Sequence, residues 1–133
     1  MSLFNVSLLA EISVSGSLSI LASSKEAAEI EARRLHMRAQ VYWTYQNQQI
    51  GAYVGPLNSV WAIGSEVGSF QVSLTSRIHI SAYTQNVSAY NEQEAISKIE
   101  NIHSQGKLIW SFGEVKLVQY TGPILNVWVT PII

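Results

Sequence analysis

Val6, Leu8, Ile12 and Val14 share one parity, with serines and a glutamate between them, and Val72, Leu74, Ile78 and Ile80 repeat the arrangement. A period of two predicts strands with one buried face. Beyond Gly16-Ser17, Leu18, Ile20 and Ala22 alternate again. This segment reads either as the second arm of a hairpin or as the continuation of one long bent strand.

The period then lengthens. Ala28, Ala32 and Leu35, and later Ala95, Ile99 and Ile102, recur at the three-to-four spacing of a helix with one apolar stripe. Ser23 or Ser24 can cap the first helix, and Asn91, with Glu94 three residues on, the second. Glu29, Arg33, Lys98 and Glu100 fall on the opposite side and are expected in solvent, and Gly106 is a candidate C-cap. Three short strands follow each helix. Val41, Trp43 and Tyr45 form a core face, as do Leu108, Trp110 and Phe112, while Gly55-Pro56 and Gly122-Pro123 turn the chain back toward Val60-Trp61 and Val127-Trp128.

These segments match in order. Phe4-Asn5-Val6-Ser7-Leu8 returns 66 positions later as Phe70-Gln71-Val72-Ser73-Leu74. One inserted residue near Ala82 and Tyr83, read as a turn or bulge, moves the spacing to 67. His36 then matches His103, Trp43 matches Trp110, Tyr53-Val54-Gly55-Pro56 matches Tyr120-Thr121-Gly122-Pro123, and Trp61 matches Trp128. The pattern predicts an α+β fold built from an internally duplicated β(β)αβββ unit. Two antiparallel sheets or one continuous sheet would carry two helices on one side, about a pseudo-twofold axis. The repeats span 1–67 and 68–133. Each is near the lower size limit for a core of its own, which predicts one intertwined globular domain.

At 133 residues, 47% hydrophobic and 13% charged, the chain has the composition of a folded protein rather than a disordered tail. Eight Lys and Arg against nine acidic residues leave no basic surplus for a nucleic-acid backbone or an anionic membrane. Having no cysteine, the chain has no disulfide or thiolate chemistry, which suits a cytoplasmic or virion setting. Met1–Ala10 is apolar but lacks a basic leader region and runs into Glu11, so it reads as mature protein. No apolar run approaches the roughly 20 residues of a spanning helix.

Candidate chemistry lies in the matched polar and aromatic pairs. His36 and His103, at helix ends, read as capping or packing residues, or as a general acid and base or metal ligands across the pseudo-axis. Neither has a second ligand one helical turn on. Tyr53 and Tyr120 lead into the Gly-Pro turns, where a phenol either bonds the turn backbone or lines a ligand pocket. Trp43 and Trp110 read as core. Trp61 and Trp128 have less apolar neighbours, so they are covered by the other half, covered by another subunit, or free to stack on a ligand.

A glycine-rich phosphate loop, a nucleophile elbow and a metal run are absent, and no carboxylate recurs in both halves. The expectation is a non-catalytic binding or assembly protein without cofactor or metal, of the kind seen among viral and mobile-element accessory proteins. It would use its duplicated sheet surface and the apolar run Val127–Ile133 to hold a protein partner or a second copy of itself. The alternative is a binder of nucleotide-like or aromatic small molecules with two equivalent Trp/Tyr pockets.

Overall fold

The computed structural model describes residues 1–66, 68–117 and 119–132; Ile133, the end of the apolar run from Val127, lies outside them. The elements are β1 (Ser2–Leu21), α1 (Lys25–Met37), β2 (Tyr42–Tyr45), β3 (Gln48–Ala52), β4 (Ser59–Glu66), β5 (Ser69–Ala89), α2 (Glu92–Ser104), β6 (Trp110–Phe112), β7 (Val115–Leu117) and β8 (Asn126–Pro131). The fold is α+β, with two helices and a large antiparallel sheet of eight strands among the described residues.

β1 does not turn at Gly16-Ser17. It runs on as one strand of 20 residues, several times the usual length, because the alternation that buries Phe4, Val6, Leu8, Ala10, Ile12 and Val14 continues through Gly16 to Ile20. Gly16 is needed for close approach rather than for a turn: a Cβ there would lie 2.6 Å from Val41 Cγ1. β5 buries Val72, Leu74, Ser76, Ile78, Ile80 and Ala82 on even positions, then Val87 and Ala89 on odd ones. The parity change is made at Asn86, whose φ of 59° absorbs the extra residue as a bulge a few positions after the site expected from sequence.

The chain divides into two compact units, Ser13–Ile78 and a second made of Met1–Ile12 with His79–Ile133. These boundaries differ from the repeat boundary at 67/68, because each long strand gives its first half to one unit and its second half to the other. In the Ser13–Ile78 unit the strand order is β3-β2-β1-β5-β4; in the other it is β7-β6-β5-β1-β8.

Both helices start on a side-chain cap, Ser24 Oγ accepting from Ala27 N–H at 3.1 Å and Asn91 Oδ1 from Glu94 N–H at 2.8 Å. α1 packs on β4 and α2 on β8. The buried stripes are Ala28, Ala32, His36 and Ala95, Ile99, His103, so an imidazole takes the third place, with Leu35 and Ile102 beside it half-buried. Glu29 is not in solvent as the stripe implied; it is half-buried and accepts the Ala62 N–H of β4 at 2.9 Å.

Candidate functional site

The helix stripe brings each histidine under a Gly-Pro turn. In the Ser13–Ile78 unit His36 Nε2 lies 2.7 Å from Gly55 O and 3.4 Å from Gly55 N. The shorter contact is to a carbonyl, which only accepts, so Nε2 carries the proton and donates. In the other unit His103 Nε2 donates to Gly122 O at 2.7 Å, and its Nδ1 accepts from Trp110 Nε1–H at 3.2 Å. Indole only donates, so the His103 ring is held as the neutral Nε2–H tautomer.

Tyr53 and Tyr120 fold back over the glycine that follows them. Tyr120 Oη donates to Pro123 O at 2.6 Å; Tyr53 Oη reaches Pro56 O at 3.4 Å and Ser76 Oγ at 3.0 Å, and Ser76 Oγ donates to Pro56 O at 2.6 Å. A Cβ on Gly55 would run into the Tyr53 phenol, and one on Gly122 would meet the Tyr120 ring at 2.7 Å, so a side chain at either glycine would displace the tyrosine from its turn. His36, Trp43 and Tyr53 meet as three rings with centroids 5.4 to 5.8 Å apart, and His103, Trp110 and Tyr120 with centroids 5.3 to 5.5 Å apart. The tryptophan contacts in each cluster are edge-on and the His–Tyr contact is tilted, and edge-on packing adds to the stabilisation from burial. One difference separates the clusters: His36 Nδ1 and Trp43 Nε1, the atoms whose counterparts bond in the other unit, are buried without a partner.

The structure therefore brings His36 together with Tyr53, and His103 with Tyr120, and points their polar atoms at the turn backbone. Trp61 and Trp128 stand apart, on the sheet face turned away from the helices. Trp61 of β4 lies opposite Ser73 of β5 and is 42% exposed; Trp128 of β8 lies opposite Ser7 of β1 and is 51% exposed.

Sequence reasoning missed the neighbours of these tryptophans. In the Ser13–Ile78 unit Ser15 pairs with Thr44, which places Tyr42 on the same face as Ser15, Ser17, Ser73 and Trp61. Together they line a groove of about 420 Å³. In the other unit Ser81 pairs with Ser111, which sets Tyr83 across from Ile109, and Leu3 meets Ile132 four residues along from the Ser7–Trp128 pair, with Asn5–Thr130 between. That face sets these apolar side chains among polar ones, Asn5, Ser7, Ser81, Ser111 and Thr130, and the ion pair of His79 with Glu11 at 3.5 Å. The period-two pattern carried this information, since every one of these residues has the parity opposite to the core.

Charge is sparse. Glu31 and Arg34 pair on exposed α1, and the bond from the guanidinium holds the Glu31 carboxyl below its ordinary range. Among the described residues there is no group of three or more His, Cys, Asp or Glu that could hold a metal ion, and no helix long and apolar enough to cross a membrane. No protein family, curated protein or solved structure matches the chain.

Proposed function

We propose that the chain is a non-catalytic assembly protein that associates with a second copy of itself through the outer sheet face of the unit formed by Met1–Ile12 and His79–Ile133. The observation that carries this reading is the exposure on that face of Tyr83 at 52%, Ile109 at 62% and Trp128 at 51%. Leu3 and Ile132 extend the same surface. Clustered exposed apolar side chains of this size, here on β5 and β8 and at the ends of β6 and β8, mark protein-binding surfaces, and aromatic anchors supply most of the energy at such interfaces.

We further propose that the chain arose by duplication. Support comes from the equal strand orders of the units and the two His-Trp-Tyr clusters at matched positions. Two equivalent Trp/Tyr ligand pockets receive less support. The phenols and imidazoles they would need already bond the Gly-Pro turns, and the tryptophans lie elsewhere.

Sedimentation velocity over a concentration series tests the assembly reading. The parent should show a species of at least dimer mass that the triple variant Tyr83→Ser, Ile109→Ser, Trp128→Ser loses while keeping its circular dichroism spectrum. A parent that stays monomeric at every concentration, or a folded variant that associates as before, contradicts it.

A further inference from the structure

We infer that the groove on the outer face of the Ser13–Ile78 unit is a binding site for a neutral oligosaccharide. Its walls are aromatic and its floor is hydroxylic. Tyr42, 68% exposed, stands on β2 and Trp61 on β4, with β1 and β5 between them. At ~4.8 Å per strand spacing the two rings stand roughly 14 Å apart, the reach of a short chain of pyranose rings. Between them Ser15, Ser17, Thr44, Ser73 and Thr75 each present a hydroxyl. A hydroxyl donates one bond and accepts two, as do the hydroxyls of a sugar.

The chemistry of the lining selects among ligands. None of the groove's residues is charged. A phosphate, a nucleic-acid strand or a carboxylate would therefore find no cation in the lining, the nearest on that strand being Arg77, two residues beyond Thr75, and a metal would find no ligand set. Ser17 Oγ accepts from Gln71, Thr44 Oγ1 donates to Ser15 O at 3.3 Å and Thr75 Oγ1 bonds Ser59 Oγ, and the donor and acceptor capacity left over on the floor would find no partner on a lipid chain. A sugar satisfies both parts of the groove: its C–H face lies on the aromatic walls and its hydroxyl edge meets the serines and threonines. The volume of about 420 Å³ falls in the range of small-ligand sites.

The other unit shows that these features do not follow from the sheet itself. At the positions 66 or 67 residues along, Ser17 is replaced by Tyr83 and Tyr42 by Ile109; at the position 66 residues back, Thr75 is replaced by Leu9. Ser15, Thr44 and Ser73 keep a hydroxyl there as Ser81, Ser111 and Ser7, so the two faces differ chiefly where Tyr83, Ile109 and Leu9 stand. This division leaves the self-association surface and the saccharide groove on different residues, so the two proposals stand or fall separately.

The test is a titration followed by amide and indole NMR with three neutral trisaccharides: cellotriose, maltotriose and triacetylchitotriose. At least one should shift the Trp61 indole and the Ser17, Thr44 and Ser73 amides saturably. Trp61→Ala and Tyr42→Ala should each weaken that binding about tenfold or more, roughly 1.4 kcal/mol. Ser17→Tyr, which installs the residue of the other unit, should abolish it without changing the spectrum elsewhere, and Trp128→Ala should leave it intact. Failure of all three sugars to give saturable shifts overturns the proposal. So does binding that is unaffected by Trp61→Ala and Ser17→Tyr, or shifts centred outside the groove.

Discussion

His103 uses both ring nitrogens inside the protein: Nε2–H donates to Gly122 O, and Nδ1 accepts from the Trp110 indole. Long-range proton–nitrogen correlation should therefore find His103 protonated at Nε2 and bare at Nδ1; a ring protonated at Nδ1 contradicts the assignment. The Trp110 indole proton should also exchange more slowly than that of Trp43, which lacks the matching bond. Gly122→Ala drives a methyl group into Tyr120 and should cost about 1 to 3 kcal/mol, read as a lower denaturation midpoint. At this scale the matched His, Trp and Tyr positions were legible in the sequence. Their bonding was not, because an imidazole scores as polar in a helix stripe and so conceals that His36 and His103 complete it. Glu29 was expected in solvent for a related reason: a carboxylate next to a stripe reads as solvent-facing until a strand amide is found beside it.

Among the elements, the strand and helix types follow directly from the periods of two and three-to-four, and both helix caps were visible as Ser and Asn. Strand length was harder to read. Gly16-Ser17 has the composition of a turn, yet β1 passes through it because packing against Val41 requires a residue without a side chain. The helix ends provide a test. Gly106 closes α2 at φ 70°, its N–H bonding His103 O, and the matched residue after α1 is Ala39 at φ 57°. A left-handed alanine is strained by about 1 to 2 kcal/mol. Glycine there relieves that strain and gives back about 0.4 to 1 kcal/mol in unfolded-state entropy. Ala39→Gly should therefore raise the unfolding free energy by roughly 0.5 to 1 kcal/mol in a urea titration. Destabilisation would contradict the left-handed cap.

For the whole molecule, the sequence repeats and the compact units have different boundaries, since β1 and β5 are each shared between units. No local pattern reports which strand pairs with which, so this was beyond the reach of periodicity. Parity did separate an inner from an outer face, and the outer faces carry the functional account: exposed Tyr83, Ile109 and Trp128 among polar residues in one unit, hydroxyls between two aromatic walls in the other. The most direct test of the assembly claim is a series of amide spectra recorded from dilute to concentrated protein. Shifts or broadening that grow with concentration should centre on Leu3, Ser7, Tyr83, Ile109 and Trp128, and should vanish in the triple serine variant. Spectra that do not change with concentration, or changes centred on any other surface, would contradict the account.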